Sequence, residues 1–257
     1  MTATLNFATA PGHQVLAAAG KKILRPGGKA ATEQLFAWAN FQPGETVLEL
    51  AASFGESAIA IAQKFNVRVV GVEKNPDSVA KARKSIKAAG LEHQVTIIEG
   101  DIFELEKITD KFDYVLAEAI LTMQSNTGKA KILSAIKDCL QPGGKFLSQE
   151  MLVRSHESEV RKSLSQTIRV NANPLTLEEW VIACRESGLT LRQQQTGAMG
   201  LLNLGQIIKD EGLLATVKIA WNIATKPSLR QRLFQMRRNF QKYRDDIGYI
   251  VFLAEIV

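Results

Sequence analysis

The 257 residues are 46% hydrophobic and 23% charged, proportions of a globular chain long enough for one sizeable core and without a collagen-like, disordered or membrane signature. The formal charge of +6 is concentrated in one place. Lys226, Arg230, Arg232, Arg237, Arg238, Lys242 and Arg244 follow one another with no acidic residue among them. Without those seven the remainder stands at −1, so the chain is not basic throughout in the manner of a general nucleic-acid binder.

The opening MTATLNFATAPGHQ has no basic region followed by an apolar run. No apolar stretch approaches the roughly 20 residues of a spanning helix, and a cytoplasmic protein is expected. Residues 1–42 are read as an N-terminal helical cover, with helices at 14–22 and 29–40 joined by LRPGG.

From Val47 onward, short Val/Ile/Leu runs alternate with segments of helical period, the pattern of a parallel sheet flanked by helices. Strands are predicted at TVLEL, VRVVGVE, QVTIIEG, FDYVLAE and GKFLSQEML, and helices over 56–65, 76–89 and 129–140. Asn75-Pro76-Asp77 opens a helix, Gly90 closes it, and Pro142-Gly143-Gly144 turns the chain into the fifth strand.

Further on, Thr176 to Glu179 carries a Thr-x-x-Glu capping pattern, and LTLRQQQT supplies a sixth strand running parallel to the first five. The core thus occupies 43–196. A helical insertion over 197–246 follows, far too long for a hairpin loop, and IGYIVFLAEIV over 247–257 forms a last strand. Within the insertion Leu229, Leu233, Met236, Phe240 and Tyr243 recur at helical spacing, which puts them on a packed face and the basic residues outside. Cys139 and Cys184 have no Cys or His at ligand spacing; both are read as structural, and no metal site is expected.

In an open parallel sheet, ligands bind at the carboxyl ends of the strands where the strand order reverses. That rule selects Glu49 to Gly55 after the first strand, Glu73 after the second, Asp101-Ile102 after the third and Glu118 after the fourth. A tight turn and a free helix N-terminus suit a carboxylate. A strand-end carboxylate suits ribose hydroxyls, and an acid followed by an apolar residue suits an exocyclic amine and a purine face.

The segments VLELAASFG, VVGVEKNPDSVAKARKSIKAAG, IIEGDIFEL, FDYVLAEAIL and LQPGGKFL follow the order and spacing of the class I S-adenosylmethionine-dependent methyltransferases, which the stretch 47–152 resembles. The resemblance implies an α/β, Rossmann-like seven-stranded sheet with an antiparallel last strand and helices on both faces. It also implies S-adenosyl-L-methionine as cofactor. Glu49, Leu50, Ala51, Ser53 and Gly55 would line its methionine end, Glu73 with Lys74 its ribose, and Asp101 with Ile102 its adenine, while Glu118 would face the methyl group. The sequence departs from the family at Ala51 and Ser53, which occupy two usual glycine positions. If both keep negative φ the turn tolerates them; a positive φ at either costs on the order of 1 kcal/mol.

Methyl transfer from a sulfonium needs alignment and exclusion of water more than a metal. If the acceptor must lose a proton, Glu118, His13 and His156 are the titratable residues that could reach it. The insertion, entered from the cofactor edge, is expected to form a lid with the N-terminal cover. Its apolar GLLATVKIAWNIA points to a small organic, apolar or lipid-like acceptor.

Two alternatives stand beside this reading. One is an RNA- or DNA-directed methyltransferase using the basic helix 226–244, disfavoured because Ala117-Glu118-Ala119-Ile120 replaces the Asn/Asp-Pro-Pro-aromatic tetrapeptide. The other is a non-catalytic S-adenosylmethionine-binding scaffold.

Overall fold

The computed structural model describes residues 5–256. Residues 1–4 of the expected cover and Val257 of the expected last strand lie outside them. Seven strands form one sheet: β1 (Thr46–Leu50), β2 (Arg68–Glu73), β3 (Val95–Glu99), β4 (Phe112–Glu118), β5 (Leu140–Val153), β6 (Leu189–Ala198) and β7 (Ile247–Ile256). Their order is β3-β2-β1-β4-β5-β7-β6. β1 to β5 are mutually parallel, and β7 runs antiparallel between β5 and β6. The order reverses at β1, whose neighbours are β2 and β4, so the chain leaves these adjacent strands in opposite directions and a crevice opens at their carboxyl ends.

Three apolar clusters hold the layers together. On one face α2 (Gly28–Ala39), α3 (Glu56–Phe65) and α4 (Pro76–Ala88) bury Leu35, Ala58, Ile61, Val79 and Ala82 against Val47, Val69 and Leu116. On the other, α5 (Asn126–Cys139) and α7 (Leu177–Glu186) bury Ile132, Ile136, Trp180, Cys139 and Cys184 against Leu48, Val115 and Phe252. Thr176 caps α7 in a full capping box with Glu179, as the sequence pattern requires.

The third cluster joins α1 (Gly12–Ala19), α6 (Glu157–Ile168), α9 (Leu213–Thr225) and α10 (Pro227–Lys242) to Met151, Val153 and Ile247 at the end of the sheet. The predicted apolar face of α10, Leu229, Leu233, Met236, Phe240 and Tyr243, is buried there.

Three expectations need correction. A helix, α6, occupies a stretch to which the sequence pattern assigns no element; His156 stands at its N-cap without a side-chain cap, so the usual start signal is absent. Arg232 is buried rather than outside, its guanidinium donating to the Thr167 carbonyl. β5 begins at Leu140, and Pro142-Gly143-Gly144 lies within its span at a break in register against β4. No helix among the described residues is long and apolar enough to cross a membrane.

Candidate active site

The turn after β1 is built on left-handed backbone. Ala51, Ser53 and Gly55 have φ of 53°, 50° and 77°, so both substituted glycine positions require the conformation that L-residues avoid. The condition for an unstrained turn is not met, and Ala51 and Ser53 hold it at a cost on the order of 1 kcal/mol each. Small residues make the tight approach feasible. Ala52 donates its N–H to the Val72 carbonyl at 3.0 Å, and a Cβ on Gly71 would lie only 2.8 Å from that of Ala52. A third non-glycine residue with left-handed backbone, Ala119 with φ 58°, follows β4. Strain of this kind collects where a fold is shaped for a ligand.

The predicted acids converge at this edge. Glu73 accepts from the Ser53 N–H and the Asn75 N–H, both at 2.8 Å, which ties the turn to the end of β2. Asp101 accepts from the Phe103 N–H at 3.0 Å and from Lys74 Nζ at 2.7 Å. The hydrogen bond from Lys74 is the main cause that holds its carboxyl below the usual range. The Lys74 side chain is itself exposed. Ile102 is buried beside Asp101, and Leu50 is buried in the core, so Leu50 can offer only its backbone to a ligand.

Glu49 differs from these. It is buried, one of its carboxyl oxygens has no hydrogen-bond partner among the described residues, and burial followed by the nearby Glu118 charge raises its pKa to about 8. It lies by Ser57 and the Ala58 N–H, at the start of α3, whose N-cap Gly55 supplies no side-chain cap. An acceptor left buried in this way fits a cationic donor from outside the chain.

Glu118 is already engaged. Its oxygens meet Arg25 Nη1 at 3.0 Å, Thr32 Oγ1 at 2.5 Å and Ser57 Oγ at 2.8 Å, with the acid 6% and the arginine 14% exposed. The ion pair joins the segment before α2 to the end of β4. A carboxylate with three protein partners is poorly placed to act as a free base.

Glu150 was missed. It is fully buried in β5 and accepts from the N–H groups of Ile120, Leu121 and Thr122 and from Thr122 Oγ1. It thereby fixes the loop after β4, and burial raises its pKa to about 7. The signal is the run Ser148-Gln149-Glu150, three polar residues between the apolar pairs Phe146-Leu147 and Met151-Leu152.

His13 at the start of α1 is near enough to Glu73 to sense its charge, and desolvation, the larger effect, lowers its pKa. His156 is instead on the surface, paired with Asp246 at 2.8 Å, in the outer α6 region.

Residues 41–210 match the sequence profile of the "Methyltransferase domain" family. The chain belongs to the class I S-adenosylmethionine-dependent methyltransferases. This methyltransferase is 34% identical to an uncharacterized protein of Haemophilus influenzae over 244 residues, 95% of this chain and 96% of that one. It is 26% identical over 185 residues, 66% of its own length, to the dual O-methyltransferase/FAD-dependent monooxygenase CTB3 of Cercospora nicotianae, of which it spans 21%. The fold matches that of an S-adenosylmethionine-dependent methyltransferase from Thiobacillus denitrificans, crystallised with S-adenosyl-L-homocysteine. There the TM-score is 0.72 at 18% identity, covering 96% of this chain and 99% of that one.

Proposed function

We propose that this methyltransferase transfers a methyl group to a small organic acceptor, apolar in the part that enters the site. The observation that carries this reading is the character of the cluster above the carboxyl edge. Met123 from the loop that Glu150 fixes lies with Met151, Met199, Leu201 and Leu202 against helices of the N-terminal segment and the insertion. The nearest carboxylate to the β4 end, Glu118, is neutralised by Arg25. An apolar enclosure with few uncommitted charges suits an organic molecule better than a phosphate backbone.

In the cofactor half, Glu49 would accept from the ammonium of S-adenosylmethionine, Glu73 from the ribose hydroxyls and Asp101 from the adenine amine, with Ile102 beneath the ring. The first turn of α3 would face the carboxylate. The sulfonium supplies an activated methyl group; the protein aligns the acceptor with it and excludes water. His13, whose pKa desolvation lowers despite the nearby Glu73 charge, is the titratable residue of this edge proposed to accept a proton from a hydroxyl or amine acceptor.

The test is calorimetry with S-adenosylmethionine, followed by incubation of the loaded enzyme with fractionated cell extract and mass spectrometry for products heavier by one methylene. Binding, with the mass gain in the small-molecule fraction, is expected. Absence of binding overturns the cofactor assignment, and a mass gain confined to the RNA, DNA or protein fraction overturns the acceptor class.

A further inference from the structure

The insertion has two unlike faces. The only acidic residues within its three helices, Asp210 and Glu211, close α8 (Leu204–Glu211) and are turned inward, while Asp245 and Asp246 follow α10 and pair with Arg244 and His156. Glu211 accepts from the N–H groups of Lys22 and Ile23 at 3.0 and 2.9 Å and pairs with Lys21 at 3.5 Å, both side chains only 2% exposed. Asp210 accepts from the Lys29 N–H at 2.8 Å. α9 turns Thr216 and Ile219 inward, and Asn222 donates to the Ala19 carbonyl at the end of α1.

The outer face carries what remains. Leu213, Leu214, Val217 and Trp221 form an apolar stripe along α9, with Leu214 88% and Trp221 69% exposed, and Leu204 of α8 and Phe234 of α10 extend it. Between these helices lies a groove of about 180 Å³ floored by Ile219, Ile223 and Leu233, with Arg230 and Arg237 among its walls. Lys209, Lys218, Lys226, Arg230, Arg237 and Arg238 make no ion pair among the described residues.

We infer that this face docks on the surface of a bilayer containing anionic phospholipid, with α9 lying in the interface and the cations of α9 and α10 against the headgroups. Charge complementarity selects the occupant. A second copy of the chain, paired patch to patch, would bring the same cations against one another. A nucleic acid would satisfy the cations but leave leucines, a valine and the edge of a tryptophan in water. An anionic membrane answers both components together, as amphipathic helices with basic flanks do. The inference needs neither the acceptor class nor catalysis, since it concerns partition of the protein.

The experiment is co-sedimentation of the full chain with vesicles of phosphatidylcholine alone and of phosphatidylcholine mixed with phosphatidylglycerol, at low and high salt, with tryptophan emission recorded in parallel. Trp180 is buried and Trp38 half-buried, so a blue shift reports Trp221. Expected are salt-sensitive partition into the phosphatidylglycerol vesicles only and a blue shift on binding. The pair Arg230→Gln and Arg237→Gln should weaken partition roughly fivefold per charge. The pair Leu214→Gln and Trp221→Gln, exposed positions that leave the core intact, should weaken it roughly tenfold or more.

The inference is overturned by no partition into anionic vesicles, by partition unchanged in both double variants, or by a lipid-free dimer that Leu214→Gln with Trp221→Gln dissociates. Retention on RNA or DNA without vesicle binding does so as well. Calorimetry with S-adenosylmethionine on the same variants should match the parent, so failure of docking is distinguishable from failure of the cofactor site.

Discussion

At the carboxyl edge of the sheet, Glu49, Glu118 and Glu150 are enclosed by protein, whereas along α9 Leu213, Leu214, Val217 and Trp221 face water. Each region thus holds groups in the environment they ordinarily avoid. The edge spends hydrogen bonds on its acids: four donors on Glu150 and three on Glu118. No such compensation exists for the α9 stripe among the described residues. The difference separates a preorganised polar site from a surface awaiting contact.

The strongest way to break the edge is Glu150→Ala. It would leave the N–H groups of residues 120–122 and the Thr122 hydroxyl without their acceptor, and a loss of about 4 kcal/mol is expected in urea unfolding, with no comparable effect from Leu214→Gln. Next comes Glu211→Gln, which removes the charge facing buried Lys21. A cost of about 3 kcal/mol is expected, accompanied by faster amide exchange in α8 than in α3; uniform exchange rates in the two helices would show that the insertion is not separately anchored.

Glu49 sharpens the comparison through pH. Its folded pKa of about 8 lies above the ordinary 4.5, so between those values the folded state holds a proton that the unfolded state has lost. Its contribution is therefore present at low pH and declines as pH rises to about 8. Glu49→Gln is expected to flatten that slope by a few kcal/mol across the window. Because an ammonium partner favours the ionised carboxyl, binding of S-adenosylmethionine below pH 8 should release a proton in the parent and none in the variant, read from calorimetry in two buffers of different ionisation enthalpy.

The smallest effect is expected at the turn. Ala51→Gly and Ser53→Gly relieve left-handed backbone while adding freedom to the unfolded chain. Each should stabilise by roughly 0.5–1 kcal/mol, seen as a raised urea midpoint.

The sheet was legible because Val/Ile/Leu runs bounded by Asn-Pro and Gly are local signals, and the strand-end rule then led to Glu49, Glu73 and Asp101 without tertiary information. Long-range chemistry was not legible. That Arg25 neutralises Glu118, or that Glu150 serves a loop about 30 residues earlier, is written in no local pattern. Arg232 illustrates the same limit: periodicity gave the packed face of α10, but only the nearby carbonyl of Thr167 explains why a guanidinium sits inside it. The φ values at Ala51 and Ser53 were likewise set by how closely the turn must approach β2, a distance no sequence spacing states.

The antiparallel β7 has a further meaning for how the molecule assembles. Among the described residues β6 pairs only with β7, and β7 bridges it to β5 through partners such as Lys145 and Glu255. During synthesis the five parallel strands and their crevice can form while β6 waits beside an open edge. The sheet closes only when residues 247–256 arrive, after the whole insertion has been made, so the outer helices are committed to their positions by the same event that seals the edge.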